Sequence, residues 1–258
     1  MEIKYIDVHS HVSFPEFKED QKEVLQRMID AGVATITVGV DLESSYEAVK
    51  LAEKYDNVFA CIGAHPHDTD GFIFNPEDFE ELVKHPKVVA IGECGLDYFR
   101  LEGDIEAEKA RQKAEFTKQI DFALKHNKAL MMHIRDAHDD AYTILKSYKG
   151  KVRGNLHFFT ASSEIAKKFI ELGFTVSFPG VITFAKETEE GVMNIPLEMI
   201  HAETDSPYAT PVPYRGKRNE PTYVIEVLKK IAQIRGGDEE KVRIQLLENV
   251  KRTFGINL

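Results

Sequence analysis

Two histidines separated by one residue, His9 and His11, stand near the start of the chain at the end of a short alternating segment. Alternate side chains of a strand point to the same face, so both imidazoles are expected to project together and reach one metal ion. Asp7 lies two residues before His9 and is expected on the same face of the strand. It could be a hydrogen-bond partner of a metal ligand or a buried structural carboxylate. A His-x-His pair alone is also compatible with two polar residues at a strand end.

Four further apolar segments end in residues that ligate metals, namely Glu93, His133, His157 and Asp205. With His9 and His11 they supply four imidazoles and two carboxylates. One open catalytic site needs only three protein ligands and a water, so the set suits two divalent ions, with Glu93 as the best-placed bridge. Such a pair lowers the pKa of a bound water and clamps the attacking and leaving oxygens, which predicts metal-dependent hydrolysis.

The segments that position these residues alternate between short β-branched runs and longer amphipathic stretches. Strands are predicted at 5–9, 33–40, 58–63, 88–93, 129–133, 152–157, 174–178 and 199–205. Helices are predicted at 16–31, 42–55, 76–84, 104–126, 136–148, 163–172, 186–193, 221–234 and 239–254. Apolar residues recur at three- and four-residue steps in the helical segments, as in Ala107, Ala110 and Ala114.

Strand and helix units of about 30 residues, repeated eight times, predict an α/β fold of the (β/α)8 TIM-barrel type, whose active site lies where the strand ends converge. An open doubly wound sheet is the alternative. The sequence has neither a Gly-rich dinucleotide fingerprint nor a phosphate-loop motif, which disfavours that alternative. Because no linker divides the chain, one hydrolase domain over residues 1–258 is expected.

The charge balance is acidic, with 33 Lys and Arg against 43 Asp and Glu, a net charge of −10. This argues against binding to nucleic acid or anionic lipid through bulk charge, but not against a polyanionic substrate gripped locally. No apolar run approaches the ~18–20 residues of a membrane span, and the first residues lack a signal-peptide pattern. Cys61 and Cys94 lie in apolar runs and are expected to be free thiols. A cytoplasmic enzyme with no membrane attachment and no obligatory protein partner is expected.

The motifs around these residues resemble the TatD family of metal-dependent deoxyribonucleases, within the broader amidohydrolase-like barrels. The matching segments are IDVHSH at 6–11, GAHPH at 63–67, IGECGLDY at 91–98, HIRDA at 133–137, ETDSPY at 203–208 and PYRGKRNEP at 213–221. The resemblance runs from about residue 3 to the C-terminus, and the last two segments are its most specific part. One departure lies at 157–161, where the family pattern His-Cys-Phe-Ser-Gly is replaced by His-Phe-Phe-Thr-Ala.

The resemblance implies how the ligands are shared: His9, His11 and Asp205 around one ion, His133 and His157 around the other, and Glu93 as the bridge. It implies that Asp205 also takes the proton of the attacking water, so that Asp205 and Glu93 are the catalytic candidates. The ions would be magnesium, manganese or zinc. The implied substrate is DNA, cleaved exonucleolytically from the 3′ end, and some relatives deacylate mischarged tRNA.

Four residues are candidates for binding substrate: His65, Arg135, Arg215 and Arg218. His65 ends the third strand and Arg135 follows the ligand His133, so both could contact a phosphate. Arg215 and Arg218 lie in the loop after the eighth strand, a common phosphate site in barrels, although a solvated basic loop is an equal alternative. Asp97 and Glu203 are expected to be supporting or structural residues.

Three other functions remain open beside a phosphodiesterase acting on DNA, possibly on RNA or tRNA. An amidohydrolase cutting a cyclic amide, lactone or ester often bridges its ions with a carboxylated lysine, and Glu93 and His133 occupy those positions here. An aminoacyl-tRNA deacylase would use the same metals. A non-catalytic metal-binding scaffold is disfavoured, because a scaffold needs only some of the six ligands.

Overall fold

In the computed structural model, residues 2–67, 73–99 and 101–257 are described, and within them eight strands form one sheet. The strands are β1 Tyr5–Ser10, β2 Val33–Val38, β3 Val58–Ile62, β4 Val88–Asp97, β5 Ala129–Arg135, β6 Gly154–Leu156, β7 Thr175–Phe178 and β8 Ile200–Ala202. They follow chain order, and every neighbouring pair is parallel. The fold is a (β/α)8 barrel, which confirms the predicted fold class.

Helices follow the strands in alternation. They are α1 Gln21–Ala31, α2 Leu42–Lys54, α3 Pro76–Phe79, α4 Ile105–Lys125, α5 His138–Lys146, α6 Ser163–Ile170, α7 Glu189–Asn194, α8 Val224–Arg235 and α9 Glu239–Phe254. The helix predicted at 16–31 begins only at Gln21, because a short 3₁₀ turn at Pro15–Phe17 precedes it. Within the described ranges, no helix combines the length and the apolar character that crossing a bilayer requires.

Apolar side chains pack in two clusters around the sheet. One cluster joins strands to the covering helices and includes Ile62 of β3 and Ala48 of α2. The other includes Ile36 of β2 and Phe254 of α9. Strands buried on both faces read as nearly continuous hydrophobic runs, which is why they were visible in the sequence.

The barrel closes where β1 meets the chain that follows β8. The backbone N–H of His11 donates to the carbonyl oxygen of Ser206 at 2.7 Å, and that of Asp205 donates to the carbonyl oxygen of His9 at 2.9 Å. Closure therefore brings the first and last predicted metal ligands side by side, although about 195 residues separate them in the chain.

Asp7 stabilises this closure. Its buried carboxylate accepts hydrogen bonds from the backbone N–H of Thr204 at 2.8 Å, from the Thr204 hydroxyl at 2.6 Å and from the backbone N–H of His9 at 3.3 Å. Of the two interpretations of Asp7, these partners favour the structural carboxylate, since they hold β1 against the segment after β8.

Strand β4 is longer than the sequence indicated. It was predicted to end at Glu93, but it continues to Asp97. The continuation requires Gly95, whose φ is 141° and where a Cβ would collide with the carbonyl oxygen of His133 on β5. The extension places Glu93 inside the strand and carries Asp97 to the same end of the barrel as His133.

Polar side chains form a buried hydrogen-bonded chain on one face of β6, β7 and β8. Glu203 contacts the Ser177 hydroxyl, which accepts a hydrogen bond from Asn155 Nδ2 at 2.7 Å. Thr175 Oγ1 donates to Asn155 Oδ1 at 3.2 Å and lies 3.0 Å from His201 Nε2. These contacts link β6, β7 and β8 to one another and help to fix the register of the short strands.

His201 is expected to make the fold sensitive to acid. Burial, aided by Arg252, lowers the pKa of His201 to about 3, whereas an unfolded histidine titrates near pH 6.5. The unfolded chain therefore binds the proton first, and the free energy of unfolding falls as pH drops below about 6.5. Between pH 7 and pH 4, the free energy of unfolding of the wild type should fall by about 3 kcal/mol more than that of His201→Gln. Urea unfolding measures this difference, and identical pH dependences would contradict it.

Candidate metal centre

A cavity of about 660 Å³ opens at the carboxyl ends of the strands. The acidic and imidazole side chains lining it include His11, His65, Glu93, His133, His157 and Asp205, and His9 lies fully buried against them. They belong to β1, β4 and β5 or lie within three residues after β1, β3, β6 and β8. The structure thus brings all six predicted metal ligands to one place.

A first group of donors is formed by His9, His11, Glu93 and Asp205. The Nε2 atoms of His9 and His11 lie 3.3 Å apart. Glu93 Oε2 is 3.5 Å from His9 Nε2 and 3.7 Å from His11 Nε2, and Asp205 Oδ1 is 3.7 Å and 3.5 Å from the same atoms. Ligands at 2.0–2.2 Å around a tetrahedral ion are about 3.3–3.6 Å from one another, so this spacing fits one cation.

A second group of donors faces the other oxygen of Glu93. Glu93 Oε1 lies 2.8 Å from His157 Nε2 and 3.1 Å from His133 Nδ1, and those two nitrogens are 3.3 Å apart. His65 Nε2 approaches the same oxygen at 3.6 Å. The two carboxylate oxygens of Glu93 therefore face different groups of imidazoles, which is the arrangement that a bridging ligand needs.

Hydrogen bonds orient two of the imidazoles. His11 Nδ1 lies 2.9 Å from the carbonyl oxygen of Val38, and His133 Nε2 lies 2.9 Å from Asp97 Oδ2. Each contact engages the ring nitrogen that points away from Glu93, so the nitrogen facing the carboxylate is left to ligate. Burial raises the pKa of Asp97, but hydrogen bonds from His133 and the Phe99 N–H prevail and bring it to about 2.

The ionisation of Glu93 is coupled to its neighbours. Burial opposes ionisation, but His157, His65 and His9, with a hydrogen bond from His133, hold the pKa of Glu93 well below its ordinary value. Burial likewise opposes protonation of His157, yet Glu93 and Glu203 raise its pKa. Imidazole protonation and a divalent cation are therefore alternative ways to balance the buried charge of Glu93.

The donor set fits divalent cations. Imidazole nitrogens and carboxylate oxygens are the ligand types that zinc and manganese accept in proteins. One cation would be held by His9, His11, Asp205 and Glu93 Oε2, and another by His133, His157 and Glu93 Oε1.

Two of the four predicted substrate-binding residues, His65 and Arg135, line the cavity. His65 Nδ1 accepts a hydrogen bond from the N–H of His67 at 3.0 Å, so its Nε2 carries the proton that faces Glu93. Burial lowers the pKa of His65 to about 4, which keeps the ring neutral at pH 7. The Arg135 guanidinium lies 3.5 Å from the centre of the Phe99 ring.

The other two, Arg215 and Arg218, do not line this cavity. Arg218 forms an ion pair with Asp20 at 2.6 Å, and Arg215 donates to the carbonyl oxygen of Thr210 at 3.0 Å and lies 4.0 Å from the centre of the Phe184 ring. Both arginines are thus engaged by contacts within the protein, Arg218 with the segment before α1 and Arg215 with Thr210 and Phe184.

Two aromatic residues of the cavity were not identified from the sequence. Phe14 stacks on His11 with ring centres 4.4 Å apart, and the Tyr208 ring centre is 6.3 Å from that of His11. The N–H of Tyr208 donates to the carbonyl oxygen of Asp205 at 2.9 Å. Tyr208 ends the matching segment ETDSPY but was not predicted to be a site residue, and Phe14 had no local signal.

The chain is similar to known proteins over nearly its whole length. The sequence profile of the family described as TatD related DNase matches residues 6–255. A Bacillus subtilis protein named uncharacterized metal-dependent hydrolase YabD is 40% identical over 258 residues, covering 97% of this chain and 99% of the relative. A Shigella flexneri protein named 3′-5′ ssDNA/RNA exonuclease TatD is 34% identical over 261 residues, covering 97% and 98%.

Solved structures agree with these similarities. The crystal structure of YjjV, a TatD homologue from Escherichia coli, matches with a TM-score of 0.88 over 100% of both chains, at 28% identity. A TatD family hydrolase from Entamoeba histolytica matches with a TM-score of 0.86 over 98% of this chain and 99% of that chain, and at 23% identity it supports the fold alone. The family expected from the motifs is thereby confirmed. The chain belongs to the TatD related DNase family and is a metal-dependent hydrolase.

Proposed function

We propose that this protein is a phosphodiesterase that removes nucleotides from the 3′ ends of DNA, with two divalent ions of magnesium, manganese or zinc. RNA or tRNA ends are related substrates of the same chemistry. The observation that carries the proposal is the position of Glu93, whose two oxygens face separate donor groups. The name of the Shigella flexneri relative supports the choice of a nucleic-acid substrate.

The bound ions would lower the pKa of a water molecule and stabilise charge on the attacking and leaving oxygens. The residues of the chain supply the remaining steps. Asp205 accepts a proton from the water as the water oxygen attacks phosphorus and the P–O3′ bond breaks. The leaving 3′ oxygen takes a proton from solvent, and a 5′-mononucleotide is released. His65 Nε2–H donates to a phosphate oxygen.

Arg135 supplies local positive charge in an acidic protein. Of the described residues lining the cavity, it is the only lysine or arginine. Its guanidinium lies 3.5 Å from the centre of the Phe99 ring, whereas that of Arg218 forms an ion pair with Asp20. A planar guanidinium beside the metal ligands is suited to hold the phosphate that is cleaved or the one next to it.

Replacing Arg135 by Ala is expected to raise KM for a single-stranded oligonucleotide about tenfold, because a charged hydrogen bond to phosphate is lost. The slope of log KM against the logarithm of the salt concentration should also decrease by about 0.7, because one phosphate contact is lost. Arg218→Ala is the matched control and should leave both quantities nearly unchanged. Steady-state kinetics between 50 and 200 mM salt measure the two effects. If Arg218→Ala raises KM as much as Arg135→Ala does, Arg135 has no special role, and the loop after β8 also binds substrate.

Digestion of oligonucleotides labelled at either end tests the proposed function. A 3′ label should appear first as a mononucleotide, and a 5′ label should remain on a ladder of shortened products. Cleavage should require added divalent metal and stop with chelator. An ester, a dihydropyrimidine and an aminoacyl-tRNA are assayed in parallel. Hydrolysis of one of these without cleavage of any oligonucleotide would overturn the assignment.

A further inference from the structure

A second cavity of about 360 Å³ adjoins the metal cavity beside β5 and β6. Both cavities are lined by Arg135, Phe158 and Thr160, so they adjoin along a shared wall. The part lined by Phe99, Arg135 and Phe158 is called the side groove here. Phe158 is the first residue of the segment that departs from the TatD pattern, and the hydrolytic chemistry proposed above makes no use of it.

Phe158 is held in an uncommon backbone conformation next to a predicted metal ligand. Its φ is 50°, a left-handed value that bulky residues rarely adopt. Its N–H donates to Glu203 Oε1 at 2.7 Å, and the same oxygen lies 3.6 Å from His157 Nδ1. One fully buried carboxylate thus fixes Phe158 relative to His157. Strained residues of this kind persist where surrounding contacts over-determine them, commonly at functional sites.

Phe99 is tied to the metal centre in the same way. Its N–H donates to Asp97 Oδ1 at 2.9 Å, while Asp97 Oδ2 lies 2.9 Å from His133 Nε2. The Phe99 ring is 45% exposed and carries the Arg135 guanidinium on its face. Two carboxylates therefore set the distance between the predicted ligands and the aromatic walls of the side groove.

The side groove is lined by aromatic side chains and a guanidinium group beside the site that would hold a phosphate. Planar heterocycles stack on both kinds of surface, and such stacking tolerates any base. We propose that the side groove binds a nucleobase adjacent to the scissile phosphate, stacked on Phe158. This inference rests on the proposed nucleic-acid substrate. It assigns recognition of an unstacked base to Phe158 and thereby a preference for single-stranded ends.

Variants of Phe158 are tested on single-stranded oligonucleotides with bases throughout, or with abasic tetrahydrofuran units at the last two 3′ positions. Phe158→Ala should lower kcat/KM for the base-bearing substrate about tenfold and leave the value for the abasic substrate nearly unchanged. Phe158→Tyr keeps a stacking ring and should retain the wild-type preference. Tyr46→Ala removes an exposed aromatic of α2 outside both cavities and should change neither value. An equal loss on both substrates, or no loss on either, overturns the proposal.

Binding gives a readout that does not depend on turnover. In an Asp205→Asn background, an oligonucleotide with 2-aminopurine at its 3′ end should show quenched fluorescence when bound, and Phe158→Ala should abolish the quenching. If wild type cleaves no oligonucleotide, the proposed function fails, but the quenching experiment still tests whether the side groove binds a base. Quenching that depends on Phe158 supports it, whereas absent binding or quenching unchanged by Phe158→Ala overturns it.

Discussion

Glu93→Gln is expected to lose at least one bound divalent ion and to lower kcat by at least about 10³-fold, since paired ions supply several kcal/mol of transition-state stabilisation. Glu93 is the residue whose two oxygens face the two donor groups, at 3.5 Å from His9 Nε2 and 2.8 Å from His157 Nε2. Glutamine keeps the shape but replaces one oxygen by an amide NH₂, which cannot ligate. The imidazoles would also lose the negative charge that they surround.

Elemental analysis of protein saturated with metal measures the first effect, with two ions expected per wild-type chain. Glu220→Gln is a matched control, because Glu220 is also buried but pairs with Arg27 at 2.6 Å outside the metal cavity. It should keep both ions. A single ion in saturated wild type, or two ions in Glu93→Gln, would defeat the bridged pair.

Asp205→Asn is expected to lower kcat by about 10²–10⁴-fold, the usual contribution of a general base, while changing oligonucleotide binding far less. The side chain of Asp205 is 14% exposed, against 5% for Glu93, so of these two carboxylates it is the more accessible to water in the cavity. Its φ is 54°, a left-handed conformation that asparagine also tolerates. The substitution therefore preserves the backbone and removes mainly the basic oxygen.

Rapid-mixing kinetics and anisotropy titrations separate turnover from binding in this variant. Asp30→Asn, on the exposed face of α1, serves as the matched control and should behave as wild type. Retention of metal by His133 and His157 would show that the site remains folded. Cleavage by Asp205→Asn within about threefold of wild type would exclude Asp205 as the base.

Local patterns were sufficient to predict the barrel and the convergence of the predicted metal ligands. Strand and helix periodicity depend on neighbouring residues, and parallel strands in a barrel must end on one face. A polar residue at the end of an apolar run, such as His133 or His157, was therefore expected to lie on that face of the barrel. The pairing of His9 with His11 was also accessible, although the register of β1 shifts between Asp7 and Ser10 and His11 lies beyond the strand.

The sequence predicted Glu93 as the bridge, but only the tertiary structure shows how its two oxygens are oriented. The apolar run that begins at Val88 is interrupted by Glu93, and Gly95 is unfavourable inside a strand, so the local pattern predicted that β4 ends at Glu93. Pairing with β5 extends the strand, with Gly95 opposite His133 and Asp97 opposite Arg135. Each oxygen of Glu93 consequently faces a different group of histidines, and Asp97 reaches the His133 ring.

The surroundings of the cationic and aromatic residues likewise depend on contacts distant in sequence. Arg218 meets Asp20 across 198 positions, whereas Arg135 lies on Phe99 at the cavity. Phe158 faces the cavity because its backbone bonds to Glu203, 45 residues later. The sequence alone determined which elements form and which ligands they carry to one end of the barrel. The tertiary structure decided which charges are neutralised and which rings remain open to substrate, because long-range partners, rather than residue type, set the availability of a side chain.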